Sequence, residues 1–303
     1  MTLDIVVLMG GSSPEREISL QTGAGVMQAL KALHHRATAL DFDDRVVAEI
    51  RRLRPAAVFN ALHGGAGENG TAAALLDWMG VAYQGSGVRA SAIAMDKWLS
   101  KAAFRAEGIP VPPGRRLPAR ALSASASAPD VALPCVVKPI AEGSAVGVSI
   151  VRSSSDLPAA AQAAAPDGGD VLIEDYIAGR EFTVAVLGEE ALPVVEITPH
   201  EQFYSYRAKY TAGGSTHTVP ADLEPAAAEE MQRLGLAVHR ALGCRDYSRT
   251  DLLMDDGGRV AVLECNTLPG LTPLSLFPDA ARAAGIAYEA LVERLLGFAL
   301  ARS

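Results

Sequence analysis

Short apolar runs alternate with longer amphipathic stretches over the first hundred residues, which predicts strands followed by helices. Asp4-Ile5-Val6-Val7-Leu8-Met9 is apolar after its first residue and reads as a buried strand. Gly10-Gly11-Ser12-Ser13 turns the chain, and Pro14-Glu15-Arg16-Glu17 opens a helix to about Ala32. The acids in its first turn sit where the helix dipole favours them. Two further strand–helix units follow, with Ala57-Val58-Phe59-Asn60 leading through a glycine-rich loop into a helix over residues 71–79. That loop holds His63 and Glu68 among four glycines, a composition suited to close approach to a ligand. Alternating strands and helices predict a parallel sheet with ligands at the carboxyl ends of its strands. Glu15 and His63 both follow such ends.

From about residue 130 the hydrophobic period changes. Residues 91–107 are still helical in pattern, stopped by Pro110, Pro112 and Pro113. Residues 117–130, rich in Ala, Ser and Pro, predict a mobile connector with room for a short helix and no chemistry. Strand-like runs then cover residues 133–139, 148–151, 171–177, 180–187 and 192–197. The Gly/Ser-rich loop 141–147 can fold its backbone N–H groups over phosphates as a flap, an ordinary flexible hairpin being the alternative. Lys138 precedes this loop instead of closing it, so no Walker pattern is present. The polar stretch 199–220 has the length of a lid or binding loop. An amphipathic helix over 225–242 and a closing helix over 288–301 complete the pattern.

The run Val260-Ala261-Val262-Leu263-Glu264-Cys265-Asn266 is a β-branched apolar strand broken by two polar residues on one face. Thr250-Asp251-Leu252-Leu253-Met254 precedes it through Asp255-Asp256-Gly257-Gly258, a good hairpin turn. If these strands pair, Asp251 lies close to Glu264 and Asn266. Two carboxylates about 5 Å apart repel by roughly 3 kcal/mol at an effective dielectric of about 20. A hard divalent cation with oxygen ligands reverses that sign. The strand pattern alone equally allows a surface hairpin whose polar residues face water.

Composition narrows the class. The chain of 303 residues, 49% hydrophobic and 20% charged, is long enough for two or three domains with large cores. A net charge of −8 without a basic run argues against nucleic-acid binding. No apolar stretch reaches membrane-spanning length, and Met1-Thr2-Leu3-Asp4 lacks a signal peptide's basic start. Cys135, Cys244 and Cys265 are scattered, fitting neither a disulfide framework nor a zinc cluster. A cytoplasmic location is expected. Gly10-Gly11 lacks the third glycine of a dinucleotide fingerprint, which disfavours a nicotinamide site.

In order along the chain, several pieces together resemble the ATP-grasp superfamily and, within it, the D-alanine–D-alanine ligase family. They are Ser13-Pro14-Glu15-Arg16-Glu17-Ile18-Ser19, Leu62-His63-Gly64, Gly85-Ser86-Gly87, Met95-Asp96-Lys97 and Val137-Lys138-Pro139. Further on come Glu142-Gly143-Ser144-Ala145-Val146-Gly147, Ala208-Lys209-Tyr210, Arg249-Thr250-Asp251 and Glu264-Cys265-Asn266-Thr267-Leu268-Pro269-Gly270. The resemblance covers nearly the whole chain. It implies an α/β fold: an N-terminal Rossmann-like parallel-sheet domain (1–94), then a two-domain ATP-grasp fold (95–178 and 179–303).

The resemblance also implies ATP-dependent joining of two D-alanines through an acyl phosphate, releasing ADP and phosphate, for peptidoglycan precursor synthesis. Two Mg2+ ions, with Mn2+ as a substitute, would be ligated by Asp251, Glu264 and Asn266. Lys97, Lys138 and Lys209 match the lysines on the nucleotide phosphates. Glu174 matches the acid at the adenine amino group, with Asp175 and Ile177 as the hinge and Glu181 at the ribose. Arg249 and the Gly270 N–H match oxyanion donors, Glu15 the site of the first ammonium, and His63 and Ser275 the carboxylate contacts. The family links Glu15, Ser144 and Tyr210 by hydrogen bonds that close the long loop. A homodimer is expected, with small-molecule substrates and no nucleic-acid or membrane partner.

Ala145, Leu268 and Pro273-Leu274 depart from some members, and none carries an assigned role. Two alternatives stay open: a sister ligase forming a D-alanine–D-lactate ester, and a non-catalytic binding protein on the same fold. Tyr210 speaks against the first. The intact set of Lys209, Arg249, Asp251, Glu264 and Asn266 speaks against the second.

Overall fold

The computed structural model describes residues 1–123, 131–200, 214–273 and 275–302, which form three sheets. In the first, β1 (Asp4–Met9) lies between β2 (Arg36–Asp41) and β3 (Ala57–Asn60), all parallel. Helices α1 (Arg16–Ala32) and α2 (Val46–Leu53) make the crossovers. After β3 come α3 (Gly65–Glu68), α4 (Thr71–Met79) and α5 (Val88–Met95). Residues Ile5 to Met9 are all buried, as expected of a central parallel strand covered on both faces.

The second unit begins with α6 (Lys97–Ala106). Its sheet runs β4–β7–β5–β6 and is antiparallel, built from β4 (Gly114–Pro118), β5 (Cys135–Pro139), β6 (Ser149–Val151) and β7 (Asp170–Asp175). Two helices, α7 (Arg120–Ser123) and α8 (Leu157–Ala164), complete it. Strand β5 alternates: Cys135, Val137 and Pro139 are buried, while Val136 and Lys138 turn to a cleft. That period of two places a lysine on the cleft face without exposing the core.

The third sheet runs β11–β10–β8–β12–β13, with β9 paired to β8. Its strands are β8 (Gly179–Leu187), β9 (Glu190–Ala191), β10 (Val195–Pro199), β11 (Ser215–Thr218), β12 (Tyr247–Asp255) and β13 (Val260–Asn266). Helix α9 (Pro225–Leu242) packs against it through Met231, Leu234 and Val238, which share a core with Phe182, Val184 and Leu252. Helices α10 (Leu276–Ala283) and α11 (Tyr288–Leu300) follow. The last helix returns to the first sheet, so Leu291, Val292 and Leu295 share a core with Val6, Val7, Leu8 and Phe277. Among the described residues no helix is long and apolar enough to cross a membrane.

Several expectations need correction. The single helix over 91–107 is two helices, because Asp96 leaves the helical region (ψ 104) and its side chain caps the N–H groups of Trp98 and Leu99. The stretch expected as a connector from Leu117 contains the end of β4 and α7; backbone pairing with β7 outweighs its poor strand composition. Residues 124–130 lie outside the described residues. The stretch 199–220 is not one long loop, since β11 pairs with β10 over Ser215–Thr218. The remainder, 201–213, with Lys209 and Tyr210, lies outside the described residues. Helix α10 after Ser275 was not anticipated, because its eight residues leave little periodicity to read.

One glycine is required by packing where the second and third units meet. A Cβ on Gly179 would stand 2.1 Å from the Met254 carbonyl oxygen on the paired strand. That neighbour is backbone and cannot rotate away. Gly179→Ala is expected to lower unfolding free energy by about 1–3 kcal/mol, the range for overpacking. Denaturant unfolding would measure it, and an unshifted midpoint would mean the strand ends separate freely.

Candidate active site

Two adjoining cavities lie at the carboxyl end of the parallel sheet and between the two antiparallel sheets. The first is lined by Glu15, His63, Ser144, Arg249, Gly270 and Ser275. Lys138, Glu174, Asp175, Ile177, Glu181 and Asp251 line the second. Lys97, the Glu142 loop and Glu264 border both, and Asn266 belongs to the first. The structure thus brings together every expected site residue that it describes.

In the first cavity, Glu15 stands at the N-cap position of α1, buried, and accepts a 2.5 Å hydrogen bond from the Ser144 hydroxyl. This bond ties the β5–β6 loop to the first unit. Ser144 and Ala145 both take left-handed backbone conformations (φ 51 and 59), which turns the loop inward. Gly64 is needed opposite, since a Cβ there would come to 2.4 Å of Glu15 Oε2. The buried His63 ring has Nε2 2.9 Å from the Thr22 hydroxyl. Burial pushes its pKa down to about 4, with Arg249 adding to the shift and Glu15 opposing it. His63 is therefore a neutral imidazole near pH 7.

Across this cavity, Ser275 Oγ accepts from the Thr272 N–H at 3.0 Å and lies 2.8 Å from the Thr272 hydroxyl. A Cβ on Gly270 would meet Ser275 Oγ at 2.9 Å and His63 Cε1 at 3.1 Å. The backbone there therefore approaches both side chains closely.

The hairpin supplies the floor. Strand β12 pairs with β13 so that Asp251 faces Glu264 and Arg249 faces Asn266. Arg249 donates to both Asp251 oxygens, at 2.9 and 2.8 Å, and Thr183 adds a third donor at 2.7 Å. Lys97 lies 3.2 Å from Glu264 and also donates to the Glu142 carbonyl oxygen. Asn266 Oδ1 accepts from the Leu268 N–H at 2.8 Å. The wet surface hairpin is excluded, because Asp251 is buried and Glu264 borders both cavities. Two facing carboxylates and an amide oxygen form an all-oxygen donor set, which fits a hard divalent cation. Among the described residues no group of three His, Cys, Asp or Glu side chains could hold a metal, so such a cation depends on the asparagine.

The second cavity contains a buried ionic triad. Glu174, 1% exposed, has one oxygen 2.6 Å from Lys101 and the other 2.7 Å from Lys138. Burial works against its charge, but the two lysines overcome that and hold its pKa below the ordinary value. Burial in turn lowers Lys101 to about 8, opposed chiefly by Glu174. Glu174 thus faces lysines through both oxygens, a contact the adenine assignment does not include. Lys101 was not picked out from the sequence. Spacing puts Lys97 and Lys101 four apart on one face of α6, but their burial is visible only in the structure.

A nucleotide-sized cleft between two antiparallel sheets, behind a parallel-sheet unit that closes a polar pocket, is the ATP-grasp architecture. A family model described as "D-ala D-ala ligase C-terminus" matches residues 104–297. A D-alanine–D-alanine ligase of Anaeromyxobacter sp. (strain Fw109-5) is 45% identical over 293 residues, covering 96% of this chain and 95% of the relative. One of Sphingopyxis alaskensis is 46% identical over 303 residues, covering 98% and 97%. The crystal structure of the Bacillus anthracis D-alanine–D-alanine ligase complexed with ATP superposes with TM-score 0.84 at 30% identity, covering 99% of this chain and 98% of that one. The chain belongs to the D-alanine–D-alanine ligase family.

Proposed function

We propose that this chain joins two D-alanines to D-alanyl-D-alanine with ATP, releasing ADP and phosphate, as a step in peptidoglycan precursor synthesis. The observation that carries the reading is the shared border of the two cavities at Lys97 and Glu264. A nucleotide in the larger cleft would direct its terminal phosphate there, next to a substrate carboxylate in the smaller one.

In this reading Glu15 holds the first ammonium, and His63 and Ser275 lie by the substrate carboxylates. Lys97, Lys138 and Lys209 attend the phosphates, Glu181 the ribose, and Glu174, Asp175 and Ile177 the base. Asp251, Glu264 and Asn266 would hold two Mg2+ ions, or Mn2+ in their place. When bound, the metal neutralises phosphate charge and polarises the transferring group. Arg249 and the Gly270 N–H stabilise the tetrahedral oxyanion, a role in which one donor contributes about 3–4 kcal/mol. Ser144, bonded to Glu15, and Tyr210 close the loops and exclude water that would hydrolyse the acyl phosphate. The division at 94/95 and 178/179 belongs to the same proposal and is supported by the separate sheets, as are a homodimer and a cytoplasmic location by the family resemblance.

Phosphate release with ATP, magnesium and single D- or L-amino acids tests the function. D-alanine alone among the common amino acids should stimulate it strongly. Release indifferent to D-alanine would refute the proposal.

A further inference from the structure

Helix α10 has Ser275 at its N-cap position, yet the Ser275 side chain caps no backbone N–H of that helix. The hydroxyl turns instead to Thr272 and lines the first cavity. Phe277, Ala280 and Ala281 of the same helix share a core with Ala185, Val195 and Ile197 of the third sheet. Apolar packing of this kind is non-directional, so it does little to fix the rotation of a helix about its axis.

Asp279 supplies a directional contact. Its Oδ2 lies 2.9 Å from Nδ1 of His217 on β11, and its Oδ1 accepts from Arg282 at 2.8 Å. The His217 and Asp279 side chains are 18% and 16% exposed, so water competes little for their bond. His217 Nε2 lies 3.3 Å from the Ser215 hydroxyl. An imidazole with its proton on Nδ1 donates to the carboxylate and accepts from the serine, which requires no positive charge. Burial works against the Asp279 charge, but His217 and Arg282 overcome it and hold its pKa below the ordinary value. Asp279 follows Ser275 by four residues, so the two share one face of the helix about one turn apart. The Asp279 N–H donates to the Ser275 carbonyl oxygen at 3.3 Å, which joins the two in the first helical turn.

We propose that His217 and Asp279 are positioning residues for the second D-alanine. Their hydrogen bond ties the first turn of α10 to β11 and so sets where the Ser275 hydroxyl stands. Neither side chain lines the two cavities, and both act through Ser275. The inference rests on the ligase reading given above, with Ser275 as the contact for the second substrate's carboxylate. Pattern reading could not supply it, because His217 and Asp279 belong to different elements brought together only by packing.

The test compares the unmodified chain with His217→Leu, which removes the donor, and His217→Asn, whose amide N–H takes the place of Nδ1–H. Dipeptide formation is followed against D-alanine concentration and resolved into the KM of each site. The acyl phosphate is trapped in parallel with hydroxylamine, which has no carboxylate and needs no contact with Ser275. A displacement of about 1 Å can cost about 100-fold, and a helix still held by its apolar face should lose less. The expected result for His217→Leu is about a 10-fold rise in the KM of the second D-alanine. D-alanyl hydroxamate should form at the unmodified rate, which also shows that the variant is folded and binds ATP. His217→Asn should restore most of the lost affinity. In a Ser275→Ala background, itself weak for the second D-alanine, His217→Leu should add little, since both act at one contact.

An unchanged second KM in His217→Leu would overturn the proposal. Equal loss of dipeptide and hydroxamate would do the same, by making the pair a general support of the fold. Full additivity with Ser275→Ala would also reject it. If Ser275→Ala binds the second D-alanine normally, the assignment of Ser275 fails first. If the unmodified chain forms no D-alanine-dependent hydroxamate, the ligase reading itself fails.

Discussion

Glu264→Gln is expected to lower D-alanine-dependent phosphate release at ordinary magnesium by about 100-fold or more. The substitution keeps size and shape and removes one negative charge at the border of the two cavities. Glu264 faces Asp251 across the hairpin, so in the proposed metal site the two would present two charges to a cation. Loss of roughly 3 kcal/mol of phosphate-charge stabilisation corresponds to that factor. Lys97 complicates the result, because it pairs with Glu264 at 3.2 Å and would be released by the glutamine. Direct titration with Mn2+, read by its electron spin resonance, separates the effects. Weakened Mn2+ binding with unchanged affinity for metal-free ATP is the expected pattern. Near-normal turnover with normal Mn2+ binding would remove Glu264 from the metal set.

Lys101→Met is expected to destabilise the folded chain by about 2–3 kcal/mol. Two effects oppose each other. Methionine removes the cost of burying an ammonium that is 0% exposed, a cost visible in the lowered Lys101 pKa. It also leaves Glu174, 1% exposed, with Lys138 as the remaining member of the triad. Stranding a buried charge costs about 3–5 kcal/mol, and replacing a whole buried pair is near neutral. The stranding term wins, reduced because Lys138 stays. Adding Glu174→Gln to Lys101→Met should therefore recover part of the loss in denaturant unfolding. A double variant less stable than the sum of the single ones would contradict this ordering.

Lys101 also marks where pattern reading stops. Residues 97–106 show an amphipathic helix, and a lysine on its inner face looks like a long side chain reaching outward. Its burial depends on Glu174, which lies far along the chain in β7. The helix break at Asp96 was equally hidden, because an apolar period runs through it and only the side-chain cap reveals the stop. By contrast, β1, β3, α4 and α9 match their expected bounds, since each combines a clean period with a proline, glycine or turn at its ends. Glu15 and His63 could be expected at one pocket because a buried strand leads each into a glycine-rich turn.

What the sequence alone determined is most of the elements and the residue types at their ends. Hydrophobic period and turn chemistry are local, so β5 with Lys138 and the hairpin with Asp251 and Glu264 could be drawn from residues near each other. The tertiary structure decided which of those ends meet. It set Ser144 against Glu15 and Lys101 against Glu174. Those pairings join residues up to 129 positions apart. Their geometry comes from sheet register and from the packing of three sheets, neither of which any single stretch of sequence contains.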